Sequence, residues 1–290
     1  MKAIRNLITT LVVVVAILGV VIIGGYIYVR TTYGIDLFRT AEQLKTLTQA
    51  VDENALCPNA FGEEDFAAME TELNKKFDGF VSHEEGKGFN GYSVNFGALA
   101  GKSMSGTISL TEKQVGAITQ TVFYVQTGGK IKIGEKEVSV TVVQVDFSEI
   151  AANGSADFNV VAKIDLTPFT ADMGEFPYKY FKKYIPDNFF VSSTVRVDKT
   201  EKDGFSYTVT HKSLTLNNLS ADDTADLFNT LNAVLKIGTA ENLNMQIGET
   251  AVNALIGTAE NSGFAYSMKA IGATAFRFET ASDAERFVVN

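Results

Sequence analysis

Residues 189–216 read FFVSSTVRVDKTEKDGFSYTVTHKSLTL, and this stretch decides the fold class. Apolar and polar side chains alternate on both sides of Asp203-Gly204, and an Asp-Gly pair between two alternating segments is a strong signal for a β-hairpin. The segment 156–166 (ADFNVVAKIDL) alternates in the same way. Alternation with a period of two is typical of antiparallel strands that cover one face. The stretch therefore predicts an antiparallel β core.

Helical patterns surround this β core. Apolar residues recur at helical spacing in 36–51 and again in 63–77, and each set forms one apolar stripe. Thr111 to Gln114 (TEKQ) fits a capping box that opens a further helix, and Ser220 fits the cap of another. We therefore expect an α+β fold with a helical segment over 36–77 and an antiparallel β-rich domain with interspersed short helices over 78–290.

Three finer expectations concern the second half of the chain. A strand is expected over 244–247, followed by a helix over 249–256, and residues 281–290 are expected to be helical or frayed. Residues 108–118 and 245–255 share three identities at an offset of 137, which fits either a duplicated strand–helix unit or chance. His211 is expected to face outward beside Lys212.

The longest apolar run in the sequence is Leu7 to Val29, 23 residues without a charge. As a helix at about 1.5 Å per residue it would span ~34 Å, enough to cross a hydrocarbon core of ~30 Å. Lys2 and Arg5 precede the run, so by the positive-inside rule residues 1–6 are expected in the cytoplasm and the chain after Arg30 outside it. A cleaved signal peptide is the alternative, but its apolar region would be shorter and would end in an Ala-x-Ala pattern.

This interpretation defines the expected location of the protein. Residues 7–29 form a single-pass anchor in the cell membrane, residues 30–35 a short connector, and the rest an extracytoplasmic domain. Tyr26, Tyr28, Arg30 and Tyr33 are the candidate membrane-interface residues, because aromatic rings favour the boundary between hydrocarbon and water.

A second candidate surface lies in residues 176–185, which read FPYKYFKKYI. This segment combines aromatic rings with lysines in an otherwise acidic chain. Tyr178, Tyr180, Lys182 and Lys183 could form a patch that binds a membrane interface or a polymer. The alternative is a short helix whose rings pack on the sheet while its lysines face water.

Composition excludes several functional classes. Residues 31–290 contain 22 basic and 34 acidic residues, a net charge near −12, which disfavours nucleic acid as a partner. The chain has one cysteine, Cys57, and two histidines, His83 and His211, too few for a histidine-based zinc site. No nucleotide-binding or nucleophile motif is present. We therefore expect no cofactor, no metal site and no enzymatic activity, and we expect Cys57 to be a small buried side chain.

Several short motifs give the chain a family resemblance. The segment LTEKQVGAI (110–118) resembles the strand–helix entry of bacterial tubular lipid-binding (TULIP-like) domains. Residues 166–169 (LTPF) and 184–191 (YIPDNFFV), followed by the hairpin, are similar to single-anchor Gram-positive proteins of the YpmS type. The resemblance covers roughly 105–220. It implies a highly curved antiparallel sheet wrapped around helices, with an apolar groove for lipid and no catalytic residues.

Anchor, strands and resemblance together give two functional hypotheses. The first is an extracytoplasmic protein that binds membrane lipid or another apolar ligand at the outer membrane face. The second is a non-catalytic scaffold or interaction module of the cell envelope with envelope proteins as partners. An open apolar cavity favours the first hypothesis and a filled core the second.

Overall fold

The computed structural model describes residues 36–133, 136–170, 186–200, 202–235, 239–260, 263–282 and 284–290. Over these ranges the protein is α+β, with antiparallel sheets and several helices, as the sequence predicts. The predicted anchor at 7–29 lies outside the described residues. None of the helices in the described ranges combines the length and the apolar character needed to cross a bilayer.

Eight helices are named here in chain order. They are α1 (Leu37–Thr48), α2 (Glu53–Leu56), α3 (Glu63–Lys76), α4 (Glu112–Thr127), α5 (Thr167–Thr170), α6 (Ala221–Leu235), α7 (Ala240–Leu255) and α8 (Phe264–Ser267). Short 3-10 turns occur at Gly88–Gly91, Phe96–Leu99 and Met268–Ile271.

The strands form three antiparallel sheets. They are β1 (Val81–His83), β2 (Tyr92–Val94), β3 (Ile108–Thr111), β4 (Lys130–Ile133), β5 (Lys136–Ser148), β6 (Ala156–Asp165), β7 (Asn188–Lys199), β8 (Tyr207–Leu216), β9 (Phe276–Thr280) and β10 (Glu285–Val289). The largest sheet has the order β4-β5-β6-β7-β8, a second has the order β3-β10-β9, and β1 pairs with β2.

Side-chain caps begin several helices, and the caps at Thr111 and Ser220 are those that the sequence predicts. Asp36 Oδ1 accepts hydrogen bonds from the backbone N–H groups of Phe38 and Arg39 at the start of α1. Thr111 and Gln114 form the reciprocal capping box of α4, with N–O distances of 3.3 Å and 2.9 Å. The hairpin of residues 189–216 is also confirmed as β7 and β8, which pair from Val191↔Leu216 to Lys199↔Tyr207.

One face of the large sheet carries the core. Phe158, Val195 and Leu216 on this face are fully buried, and α4, α6 and α7 pack against the sheet. The helices of residues 36–77 add side chains to the same cluster, among them Leu47 and Phe66. The core therefore joins the N-terminal helices and the sheet.

The opposite face of the sheet is crossed by residues 49–61, the segment between α1 and α3. Cys57 belongs to this segment, and its side chain packs against Val161 and Phe190 of the sheet. Asn59 N–H donates to Gln144 Oε1 at 3.1 Å, and the Lys163 ammonium lies 2.7 Å from a Glu53 carboxylate oxygen. These contacts hold the segment on the sheet.

β5 has a β-bulge between Val142 and Gln144. The Val142 N–H lies beyond the part of β5 that pairs with β4, and it donates to the buried Gln120 Oε1 of α4 at 2.7 Å. The carbonyl of Val143 accepts from the Phe61 N–H at 3.3 Å. Both of these backbone groups at the bulge thus have a partner outside the sheet.

Two predictions for the second half of the chain are wrong. Residues 244–247 are part of α7 rather than a strand, so 245–255 does not repeat the strand–helix unit at 108–118. The tail is neither helical nor frayed, because Glu285–Val289 forms β10 between β3 and β9. Phe287 and Val289 are fully buried there.

Candidate functional site

The sequence-predicted surface residues lie outside the described part of the chain. This applies to the membrane-interface candidates Tyr26, Tyr28, Arg30 and Tyr33. It also applies to the patch residues Tyr178, Tyr180, Lys182 and Lys183. Among their neighbours in sequence, Thr170 ends α5 and Asn188 begins β7.

One candidate site among the described residues is a groove at the tip of the β7–β8 hairpin, which we call the hairpin groove. It has a volume of about 470 Å³ and lies between the hairpin and the C-terminal half of α7. Its lining includes Asp203, Phe205, Tyr207, Glu249, Asn253 and Tyr266. The volume is within the range of small-molecule sites.

Aromatic rings form one wall of the hairpin groove. Phe205 is buried, and its ring meets the half-buried Tyr266 ring edge-on at 5.8 Å between centroids. The Lys269 ammonium lies 5.1 Å from the Tyr266 centroid and 5.8 Å from that of Phe205. These contacts fix the orientation of the Tyr266 ring.

Polar groups of α7 form the facing wall. The Tyr207 hydroxyl donates to Asn253 Oδ1 at 2.6 Å, and burial together with the nearby Glu249 carboxylate raises the pKa of Tyr207 to about 12. The phenol therefore stays protonated and keeps this hydrogen bond at physiological pH. Because Asn253 Oδ1 is occupied, its amide NH₂ is the part available to a ligand.

The hairpin turn is held by Asp203. Its Oδ1 accepts from the Phe205 N–H at 2.7 Å and from the Ser206 hydroxyl at 3.0 Å. The backbone hydrogen bond from Phe205 is the main reason that the pKa of this carboxyl lies below its ordinary value. Asp203 therefore stabilises the hairpin turn that forms part of the groove.

The two histidines do not create a reactive centre. The bulge in β8 gives Lys212 no direct partner on β7, so His211 faces the core side while Lys212 points to the other face, where it meets Asp157. The predicted outward orientation of His211 is therefore wrong. Its Nδ1 lies 2.8 Å from the buried Asn244 Nδ2.

His83 lies on the surface, in the two-stranded sheet. It ends β1, is exposed, and its ring stacks on Tyr92 at 4.2 Å between centroids. In the described ranges, no cluster of histidine, cysteine and carboxylate side chains has the arrangement of a metal site.

Cys57 is buried, as the sequence predicts. Burial raises the pKa of its thiol to about 11, and the charges of Glu53 and Asp146 add to the shift. A thiol in this state is a poor nucleophile.

Sequence reasoning missed the hairpin groove, although parts of it leave a signal. Asp203-Gly204 marks the turn, and Glu249 and Asn253 are four residues apart, so they share one face of a helix. The predicted helix begins at 249, and the sequence does not show that this face of the helix lies beside Tyr207. Comparison with protein-family models, with curated proteins and with solved structures gave no match.

Proposed function

We propose that the chain is a non-catalytic binding module of the cell envelope, held at the outer membrane face by an anchor at 7–29. The observation that carries this proposal is the filled core. The core face of the large sheet is covered by α4, α6 and α7, and side chains such as Phe158 and Val195 are fully buried. A domain built in this way offers its surface, rather than an interior cavity, to a partner.

Lipid or another apolar ligand is the second candidate, and one observation favours it. A groove of about 480 Å³ is lined by Phe96, Leu99 and Ala100 with Ala270 opposite. Phe96 is 37% exposed. A connector of six residues after the anchor reaches at most ~20 Å, which would keep such a groove near lipid.

The anchor is tested first. Intact cells expressing the full chain are treated with a protease that cannot cross the membrane, and the membranes are washed with alkaline carbonate. The proposal expects degradation of the domain in intact cells and retention in the washed membranes. A domain that is protected, or that washes off, refutes it.

Native mass spectrometry of the full chain in detergent then separates the two candidates. The module proposal expects a mass without stoichiometric lipid. A lipid that stays bound and is lost from Phe96→Ser, but not from a matched Phe89→Ser variant, supports the lipid-binding candidate instead.

A further inference from the structure

We propose that the hairpin groove binds a short uncharged oligosaccharide, with Glu249 and Asn253 bonding neighbouring hydroxyls and Tyr266 packing against the sugar ring. This inference rests on the proposed function, because a domain on the outer membrane face meets the polysaccharides of the envelope. It assigns a ligand class to the hairpin groove, which lies on the surface of the domain.

The first argument is a donor–acceptor pair on one face of α7. Glu249 and Asn253 lie one turn apart on α7, which places their Cβ atoms about 5–6 Å from each other. Tyr207 occupies Asn253 Oδ1, so the amide presents donors. Glu249 is exposed and lines the groove, and within the described ranges its carboxylate has no protein hydrogen-bond or ion-pair partner, so it is open to a ligand. A hydroxyl both donates and accepts, so neighbouring sugar hydroxyls satisfy a carboxylate and an amide NH₂ together.

The second argument is the aromatic wall. A tyrosine ring presents a large, rigid and partly apolar surface at a low cost in conformational entropy. Contacts with Phe205 and Lys269 already fix the Tyr266 ring. A sugar ring has an apolar C–H face and polar edges, which matches a groove with an aromatic wall on one side and polar groups on the other.

The third argument is charge. Glu249, Asp203 and Lys202 line the groove, and Asp203 pairs with Lys269 at 3.8 Å, so the charges around the groove nearly balance. A phosphate or carboxylate polymer would be repelled from Glu249. An alkyl chain would displace water from that carboxylate without replacing the hydrogen bonds that water makes to it, which is costly. The ligand that remains is polar and uncharged.

An extended peptide is the competing occupant, because β8 lies at the edge of the sheet. Strand addition needs a regular edge. The bulge at Lys212 interrupts β8 and places a charge there, a common protection against pairing at strand edges. The observations therefore favour the oligosaccharide.

The test uses the full chain in detergent, titrated calorimetrically with chitotetraose and with maltotetraose at up to millimolar concentration. We expect saturable binding of at least one tetramer. Glu249→Ala should weaken it about tenfold or more, because it removes a hydrogen bond to a charged group. Glu241→Ala makes the same change on an exposed site of α7 outside the groove, so it should leave binding unchanged.

Two further variants address the aromatic wall. Tyr266→Ala should abolish binding and Tyr266→Phe should retain it, and circular dichroism reports whether each variant is folded. Absence of binding to both sugars overturns the inference. Equal binding by Glu249→Ala and Glu241→Ala overturns it too, as does competition by an extended peptide. If the titration is negative but the protease experiment shows an anchored, extracellular domain, only the sugar site is refuted. If the protease experiment places the domain in the cytoplasm, the proposed function is refuted.

Discussion

Gly248 provides the sharpest test of how α7 packs on the large sheet. A Cβ atom at this position would lie 2.2 Å from Val195 Cγ1 and 2.9 Å from Val195 Cγ2. Carbon atoms prefer separations of about 3.5–4.0 Å, so either α7 or Val195 must move by more than ~1 Å. Val195 is fully buried and β-branched, and its side chain has few alternative rotamers.

The two opposing contributions can be estimated. In a free helix the change from glycine to alanine stabilises by about 1 kcal/mol. Overpacking a filled core costs about 1–3 kcal/mol, and a contact of 2.2 Å belongs at the upper end. We therefore expect Gly248→Ala to lower the free energy of unfolding by about 2 kcal/mol.

Urea denaturation of the full chain in detergent, followed by circular dichroism, measures this change. Thr250→Ala, on the exposed side of the same helix, is the control and should change stability by no more than ~0.5 kcal/mol. In the double variant Gly248→Ala/Val195→Ala the new methyl group occupies space left by valine. The loss of stability in the double variant should therefore be at least ~1 kcal/mol smaller than the summed losses of the two single variants. A stabilising Gly248→Ala would refute the packing described here.

Three further predictions concern other parts of the fold. Burial raises the pKa of Glu112 above its ordinary 4.5, so its contribution to stability is full below that value and is lost as the pH rises through the folded-state pKa. Glu112→Gln should thus raise the urea midpoint at pH 7 but not at pH 4, with a gain below ~1 kcal/mol because the charge also favours the helix N-terminus. With a thiol pKa of about 11, Cys57 should react with iodoacetamide at pH 7 far more slowly in the native protein than in urea. Phe287→Ala should cost about 3–5 kcal/mol, measured by urea denaturation, because the ring is fully buried in β10.

Each of these predictions has an outcome that contradicts it. If Glu112→Gln lowers the urea midpoint relative to wild type at pH 7 but not at pH 4, the predicted sign of the pH dependence is wrong. Equal labelling of Cys57 in native and unfolded protein would mean that its side chain is not packed against Val161 and Phe190. For Phe287, Phe287→Leu should lose much less stability than the alanine variant, and an equal loss would show that ring packing is not the cause.

Local patterns predict the parts of this fold whose partners are close in sequence. The β7–β8 hairpin is predictable because Asp203-Gly204 sets the turn and both strands alternate around it. The caps of α1 and α4 are predictable because capping groups lie within three residues of the amides they bind.

The error at α7 has a specific physical cause. Its buried stripe includes Asn244 and Gly248, which are not hydrophobic, so the helical period is hidden in the sequence. Asn244 is buried because its amide bonds Ser193, the Thr194 carbonyl and His211 on the sheet. Gly248 is buried because Val195 leaves no room for a side chain. Both reasons lie in β7 and β8, and no window of sequence around α7 contains them.

The hairpin groove escapes local reasoning for the same reason. Tyr207 and Asn253 are separated by 46 positions, and only the packing of α7 on β8 brings the hydroxyl to the amide. The sequence does not show that the two side chains meet, because only the fold brings them together.

The position of β10 has a consequence for the order of folding. Residues 286–289 pair with 108–111, 175 to 181 positions earlier, and this high contact order slows folding. A nascent chain that ends before residue 285 leaves β3 and β9 without the strand that joins them. Completion of the domain is therefore a late event, and until then the nascent chain exposes an edge that chaperones or other unfinished chains can bind.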